Sequence, residues 1–370
     1  MLIRNVRVFD PVTGGAEPAD VLLSGDRIEA VGSDVDGPDA VDGAGGLLLP
    51  GLIDCHVHVA FPRREPLPRS ARVLEAVPVL ARLLNRGITT ARDAWGADAG
   101  VRHAVREGWI AGPELLISLR QLSPTGGLGD AWGPDVGDAD GFADPSLPDP
   151  VFDGPDQARA AVRRMVRAGA DWVKLGASGS MAQLRARRTV EPTDDELRAV
   201  VDEARRAGRD VLAHAHSAAA ATAAAEAGVR SVEHGVFLDE DAISALRRNE
   251  CWYVPTLAPI PPEHSDAHRR SLGLALEAGV PIAAGSDLAV RPHVDLLTEL
   301  SLLSEAGLGP AGALRAATGE AARLLRLPDR GRIAPGLRAD LVLLRDAEID
   351  VRDLASRIRT VWQAGQPVRR

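Results

Sequence analysis

Five short apolar segments of this chain end in side chains able to bind a metal ion. The first reads Asp54-Cys55-His56-Val57-His58. In an extended strand residues two apart point the same way, so both imidazoles can reach one ion. An HxH pair alone is a weak signal, because surface and core histidines are common. The other four segments are Trp172-Val173-Lys174-Leu175-Gly176, Val211-Leu212-Ala213-His214-Ala215-His216, Ser231-Val232-Glu233-His234-Gly235 and Ala283-Ala284-Gly285-Ser286-Asp287. Taken singly, each polar group reads as a hydrogen-bonded structural residue. Together they close buried apolar strands, where an uncompensated polar group is costly, and they point to a shared metal site.

Lys174 is the only lysine among 43 basic residues, the other 42 being arginine. A GC-rich genome accounts for the arginines, but not for the one lysine retained at a strand end. An interior lysine there is a salt-bridged residue, a Schiff-base amine or a carboxylated lysine. Carboxylation turns the amine into a carbamate, an oxygen-donor anion able to bridge two metal ions. Arginine cannot do this, because its guanidinium does not deprotonate at ordinary pH. The surrounding histidines favour the carbamate. A Schiff-base lyase would work without metal, and borohydride trapping would reveal it. Two cysteines, Cys55 and Cys251, are too few for a disulfide framework or a zinc knuckle. Any metal is therefore held mainly by His, carboxylate or a less usual ligand, and the cysteine count points to a reducing cytoplasm.

The elements that must position these groups alternate. Apolar runs predict strands over 51–56, 88–92, 114–119, 171–176, 210–214, 230–234, 251–255 and 281–285. Helical stretches follow at 71–86, 97–111, 156–169, 193–208, 217–228, 239–249, 265–279 and 293–306, several ending at a C-capping glycine. Eight such alternations are what a closed (β/α)₈ TIM-type barrel needs, with its active site at the C-terminal ends of the strands. The segment 120–155, rich in Gly, Pro and Asp, follows the third strand and would overhang that face. Short alternating strands are expected in 2–9, parts of 20–32 and 40–49, and again at 331–333, 339–344 and 360–363. The division is therefore 1–49 and 329–370 as the two parts of a small β-sandwich domain, around a barrel at 50–328.

With 370 residues, 45% hydrophobic and 26% charged, the chain can bury a large core. Its net charge of −9 argues against nucleic acid or an anionic membrane as partner. No apolar run is long enough to span a bilayer, and the first eight residues read as a strand rather than a signal peptide.

The set His56, His58, Lys174, His214, His234 and Asp287, in this order, resembles the amidohydrolase superfamily. The resemblance is to its branch of prolidase-like and imidazolonepropionase-like proteins, which includes Xaa-Pro, Xaa-Arg and Xaa-Lys dipeptidases and ochratoxin amidases. It covers nearly the whole chain. Pro50–His58 looks like the first-strand motif and Ser231–Gly235 like the sixth-strand motif. Ala317–Arg323 and Gly331–Leu341 resemble the C-terminal signature. The resemblance implies two divalent ions, expected to be zinc. His56, His58 and Asp287 would hold the buried one, His214 and His234 the more exposed one, and carboxylated Lys174 would bridge them. Catalysis would run through attack of a metal-bridging hydroxide on an amide or peptide-like C–N bond. Asp287 would carry the proton, and His216 would face the scissile carbonyl or a substrate carboxylate. The expected substrate is a small molecule or short peptide, such as a dipeptide or N-acyl amino acid; a homo-oligomer is allowed.

Two departures stand out. Ser123–Asp130 resembles a TGGHGD motif, with Leu128 in place of the histidine expected near substrate. Glu203-Ala204-Arg205 stands where the branch often has EAH. Leu128 and the acidic loop keep a cyclic amide, a urea-like compound or a peptide natural-product precursor open as substrates. A non-catalytic barrel module is the competing class, and the full ligand set weighs against it.

Overall fold

Both ends of the chain enter one mixed eight-stranded sheet. Its order is Gln366–Pro367, Ile358–Gln363, Leu341–Leu344, Leu47–Pro50, Leu2–Phe9, Ala16–Ser24 and Arg27–Gly32, with Ala40–Asp42 also pairing to Leu2–Phe9. The termini join where Leu341–Leu343 runs antiparallel to Leu48–Pro50. This sheet has its own core, including Ile3, Val21, Ile28, Leu341 and Trp362. Residues 331–333, expected as a strand, form none. Gly331 turns there at φ 87°, so close to the preceding helix that a Cβ would meet Ala322 Cβ at 2.5 Å. In the computed structural model residues 1–370 are described except 34, 61–68, 131, 134–136, 139–146, 182–190, 289–294 and 369–370.

Between the termini the chain is α/β with parallel strands. Leu52–Val57, Ile88–Asp93 and Glu114–Ile117 form one sheet. Gln121–Leu122, Val173–Gly176, Val211–Ser217, Ser231–Phe237 and Trp252–Val254 form another. Most of these strands are buried along their whole length, as parallel strands covered on both faces must be, which is why they read as apolar runs. Backbone bonds continue between the two sheets, from Trp172 N–H to Ile117 O at 3.2 Å. The segment expected as a strand at 281–285 carries only isolated bridges, at Ile282 and at Leu288. Pro281 has no N–H to donate, and Asp287 leaves the extended region at φ 52°. It still bonds on both sides: Ala283 N–H to Tyr253 O at 3.1 Å, Cys55 N–H to Ala284 O at 2.9 Å, and His58 N–H to Leu288 O at 3.0 Å.

The helices start where capping chemistry allows. Asp98, Thr193, Ser217, Asp239 and Asp295 each accept a first-turn N–H, and Thr193 completes a capping box with Glu196. The helix expected over 97–111 is shortened to Ala99–Arg106. That expected over 293–306 runs Leu296–Leu303 and passes into a single π-type turn, Ser304–Leu308. Residues 293–294 lie outside the described residues. Two helices not anticipated, Gly309–Ala316 and Gly319–Leu324, fill the way to the C-terminal strands. Parts of the segment 120–155, at 131, 134–136 and 139–146, lie outside the described residues, as do 182–190. Among the described residues no helix is long and apolar enough to cross a membrane.

Candidate metal centre

Strand Leu52–Val57 delivers His56, the next residue but one is His58, and Asp287 follows Gly285-Ser286 on the neighbouring segment. Their ligand atoms lie within 4.8 Å of one another. The tautomers follow from their partners. His56 Nδ1 is 2.7 Å from Glu233 Oε2 and His58 Nδ1 is 2.9 Å from the Trp95 carbonyl. Both partners only accept, so each ring donates from Nδ1 and, when neutral, carries a lone pair on Nε2. Those lone pairs face Asp287 Oδ1, at 3.7 Å from His56 and 3.1 Å from His58. Asp287 Oδ1 is buried without a hydrogen-bond donor. Three electron-pair donors converging without a proton among them is the donor set of a divalent cation. Burial, with Lys174 and neighbouring histidines, holds His56 well below its ordinary pKa, so this ring stays neutral.

Lys174 Nζ lies 3.4 Å from His56 Nε2, and the side chain is 1% exposed. Burial pulls its ammonium down to about 8, against the opposing pull of Glu233 and Asp287. On the far side stand His214, His216 and His234. The ring of His234 is 4.8 Å from His56, 4.5 Å from His214 and 5.1 Å from His216 between centroids. His214 Nε2 is 3.3 Å from Gly179 O and must donate, which leaves Nδ1 as its lone pair. His234 Nδ1 is held by Thr256 Oγ1 at 2.7 Å. Burial holds His214 and His234 well below the ordinary range, and pushes His216 down to about 3. His216 Nδ1 is buried with no hydrogen-bond partner.

Side chains behind the ligands fix their aim. Glu233, which orients His56, is itself held by Arg92 NH2 at 2.9 Å and by the Ser231 hydroxyl. Arg92 is fully buried, donates to Cys55 O at 2.6 Å and to Ser231 Oγ at 3.2 Å, and stacks 4.7 Å from the Trp172 ring. Asp54 accepts from Ser286 N and Oγ at 3.0 and 2.6 Å and from His56 N at 3.1 Å, tying the first strand to the Asp287 segment. Those two backbones approach so closely that a Cβ on Gly285 would meet His56 Cβ at 2.8 Å. Two of the metal-competent residues are strained: His234 has φ 71° and Asp287 φ 52°, as does Thr256 behind His234 at φ 53°. Such conformations cost about 1–3 kcal/mol each and cluster where function demands a particular aim.

The structure thus brings every candidate together around one spot, with His56, His58 and Asp287 as the tightest group. Of the remaining described histidines, His103 packs on Trp109 and His264 on Phe237, while His268 is buried beside strand Ser231–Phe237, the sixth of the expected eight. Cys55 is fully buried, and Arg205 is exposed on its helix near Asp202. Leu128 is half-buried, and its N–H donates to Glu191 Oε2 at 2.9 Å. The sequence reading missed Arg92, Asp54 and Thr256, and it gave Glu233 no role. The only signal for Arg92 and Asp54 is a charge inside an otherwise buried strand.

The amidohydrolase family model matches residues 47–369. The chain belongs to the amidohydrolase family. It is an enzyme that hydrolyses C–N bonds. Ochratoxinase of Aspergillus niger is 29% identical, over 96% of this chain and 84% of its own length. Imidazolonepropionase of Anaeromyxobacter dehalogenans is 30% identical, over 93% and 89%. Among solved structures, a prolidase complexed with N-methylphosphonate-L-proline superposes with a TM-score of 0.90, at 33% identity, covering 100% of this chain and 99% of the other.

Proposed function

We propose that this amidohydrolase is a binuclear metal enzyme that cleaves the amide bond of a dipeptide or N-acyl amino acid. The observation that carries the reading is the convergence of His56 Nε2, His58 Nε2 and the donorless Asp287 Oδ1. These three would hold one cation, and His214 and His234 a second. Lys174, as a carbamate, would supply the anion between them. A set of imidazoles and carboxylates suits zinc. The likeness to a prolidase that binds a phosphonate of proline supports an amide substrate. The backbone bonds linking 281–288 to the strands on either side support closure into a (β/α)₈ barrel over 50–328. The shared terminal sheet with its own core supports a small β-sandwich domain made of 1–49 and 329–370.

When bound, the cations supply an acidified water and polarise the scissile carbonyl. The chain's own groups manage the proton and the substrate. Asp287 turns Oδ1 toward the metal ligands, which leaves Oδ2 to accept the proton of the attacking water and hand it to the leaving amine. An amine anion is a poor leaving group, so amide cleavage needs that transfer. His216, whose Nδ1 is buried without a hydrogen-bond partner, would bond the substrate's carbonyl or carboxylate.

Leu128 favours a second reading, in which the substrate is a cyclic amide, a urea-like compound or a peptide natural-product precursor. By the resemblance, the histidine that Leu128 replaces would stand near substrate, and an apolar side chain in its place would remove a polar contact open to a dipeptide. One experiment separates the two. Zinc-loaded protein of measured metal content is incubated with pooled dipeptides and N-acyl amino acids, and released amino acids are quantified. Release from either pool is expected. Silence from a fully metallated sample refutes the dipeptidase reading in favour of the second.

A further inference from the structure

Strand Ser231–Phe237, the sixth of the expected eight, breaks its ladder where it presents His234. Ala215 pairs with His234, but the next paired residues are Ser217 and Phe237, so one extra residue bulges out of the sixth strand. His234 and Gly235 are both left-handed there, at φ 71° and 56°. A side chain on Gly235 would strike the Tyr253 ring, with Cβ 2.6 Å from Cε2. A strained turn of this kind persists only where its surroundings over-determine it.

The surroundings come from two other elements. His268, on helix Ser265–Glu277, is 1% exposed, and its Nε2 lies 2.6 Å from the His234 carbonyl. A carbonyl only accepts, so Nε2 carries the proton. The buried Tyr253 hydroxyl lies 2.9 Å from the same oxygen and 3.0 Å from Gly235 O. One helical step on from His268, on the same face, Ser271 Oγ accepts Leu238 N–H at 2.9 Å and lies 3.0 Å from Val236 O. Helix Ser265–Glu277 therefore grips the bulge at two points, while Thr256 fixes the imidazole from the side.

We propose that His268 is a positioning residue: with Tyr253 it clamps the His234 carbonyl and so aims the His234 imidazole at the second metal ion. This rests on the reading of His234 as a ligand of that ion. Partners one step behind a metal ligand typically contribute about 10–100-fold to metal affinity. The loss should fall on the second ion alone, because His56, His58 and Asp287 are oriented by Glu233, Trp95 and Asp54 instead.

The test is a zinc titration of the metal-free full chain against a competing chelator, with metal per chain measured and the fold checked by circular dichroism. His268→Leu and Tyr253→Phe should each weaken the second zinc by about 10–100-fold and leave the first unchanged. His268→Gln, whose Nε2 donates from nearly the same place, should stay close to the parent. If His268→Leu does not fold, Tyr253→Phe, which removes one hydroxyl, decides. Parent-like binding of the second zinc in both variants overturns the proposal, as does an equal loss of both ions. His234→Ala separates the two layers: a variant that still takes two zinc ions at full affinity refutes the ligand assignment, and the clamp with it.

Discussion

Replacing Arg92 with methionine tests whether the buried ion pair behind His56 stabilises the fold. Methionine keeps most of the apolar stem but removes the guanidinium that holds Glu233, the Cys55 carbonyl and Ser231. Both partners of the pair are fully buried, with side chains 0% exposed. Removing one leaves an uncompensated charge in the core, which typically costs about 3–5 kcal/mol. At about 2.1 cal/mol/K of unfolding entropy per residue, a chain of 370 residues has roughly 0.8 kcal/mol/K. Arg92→Met should therefore lower the melting temperature of the metal-free protein by about 4–6 °C. The double variant Arg92→Met/Glu233→Gln removes the stranded charge and still accepts the His56 Nδ1 proton, so it should recover at least half of that loss. Scanning calorimetry of parent, single and double variants reads this directly. A single variant that melts with the parent, or a double variant no better than the single, refutes the argument.

Asp287→Asn keeps a residue that tolerates the left-handed backbone, so metal content should hold while turnover falls by about 10²–10⁴-fold. A near-parental rate would show that the proton moves elsewhere. Lys174→Ala should lose the second metal ion and regain it with bicarbonate plus a short carboxylic acid, whereas Lys174→Arg should not; two ions retained with arginine would exclude the carbamate. Glu299 is fully buried, holding Leu257 N–H and Ala258 N–H at 2.9 and 2.8 Å, and burial raises it from 4.5 to about 8. The folded chain then keeps a proton that the unfolded chain releases, so this contribution to stability is complete below pH 4.5 and lost as pH rises toward about 8. Across that window the parent's melting temperature should fall relative to that of Glu299→Gln, and parallel curves would contradict the sign.

The residues the sequence made legible are those whose spacing carries meaning over a few positions. His56 and His58 sit two apart on an extended backbone, His214 and His234 follow apolar runs that form buried strands, and Asp287 follows a buried apolar run. Most glycines expected to end helices do so, as Gly228 shows with φ 92°, whereas Gly307 lies inside the turn Ser304–Leu308 at φ 118°. What stayed hidden depends on partners distant in sequence. Arg92 meets Glu233 across 141 positions and Asp54 meets Ser286 across 232, and no local pattern announces either pair. The segment 281–285 was read as a regular strand because its residues are apolar. Its hydrogen bonds are instead interrupted by Pro281 and by the turn that aims Asp287. Likewise Gly331-Arg332-Ile333 has the composition of a strand start, but contact with the preceding helix sets its backbone.

One lysine, almost wholly enclosed, gives this protein an unusual spectroscopic address. Its other basic side chains are arginines, so Lys174 is the one side-chain amine in the sequence. If Lys174 forms the proposed carbamate, equilibration with ¹³C-bicarbonate would label one interior position, free of the overlapping lysine background that crowds such spectra elsewhere. Occupancy of that single resonance could be followed against pH, metal loading and ligand without changing one residue.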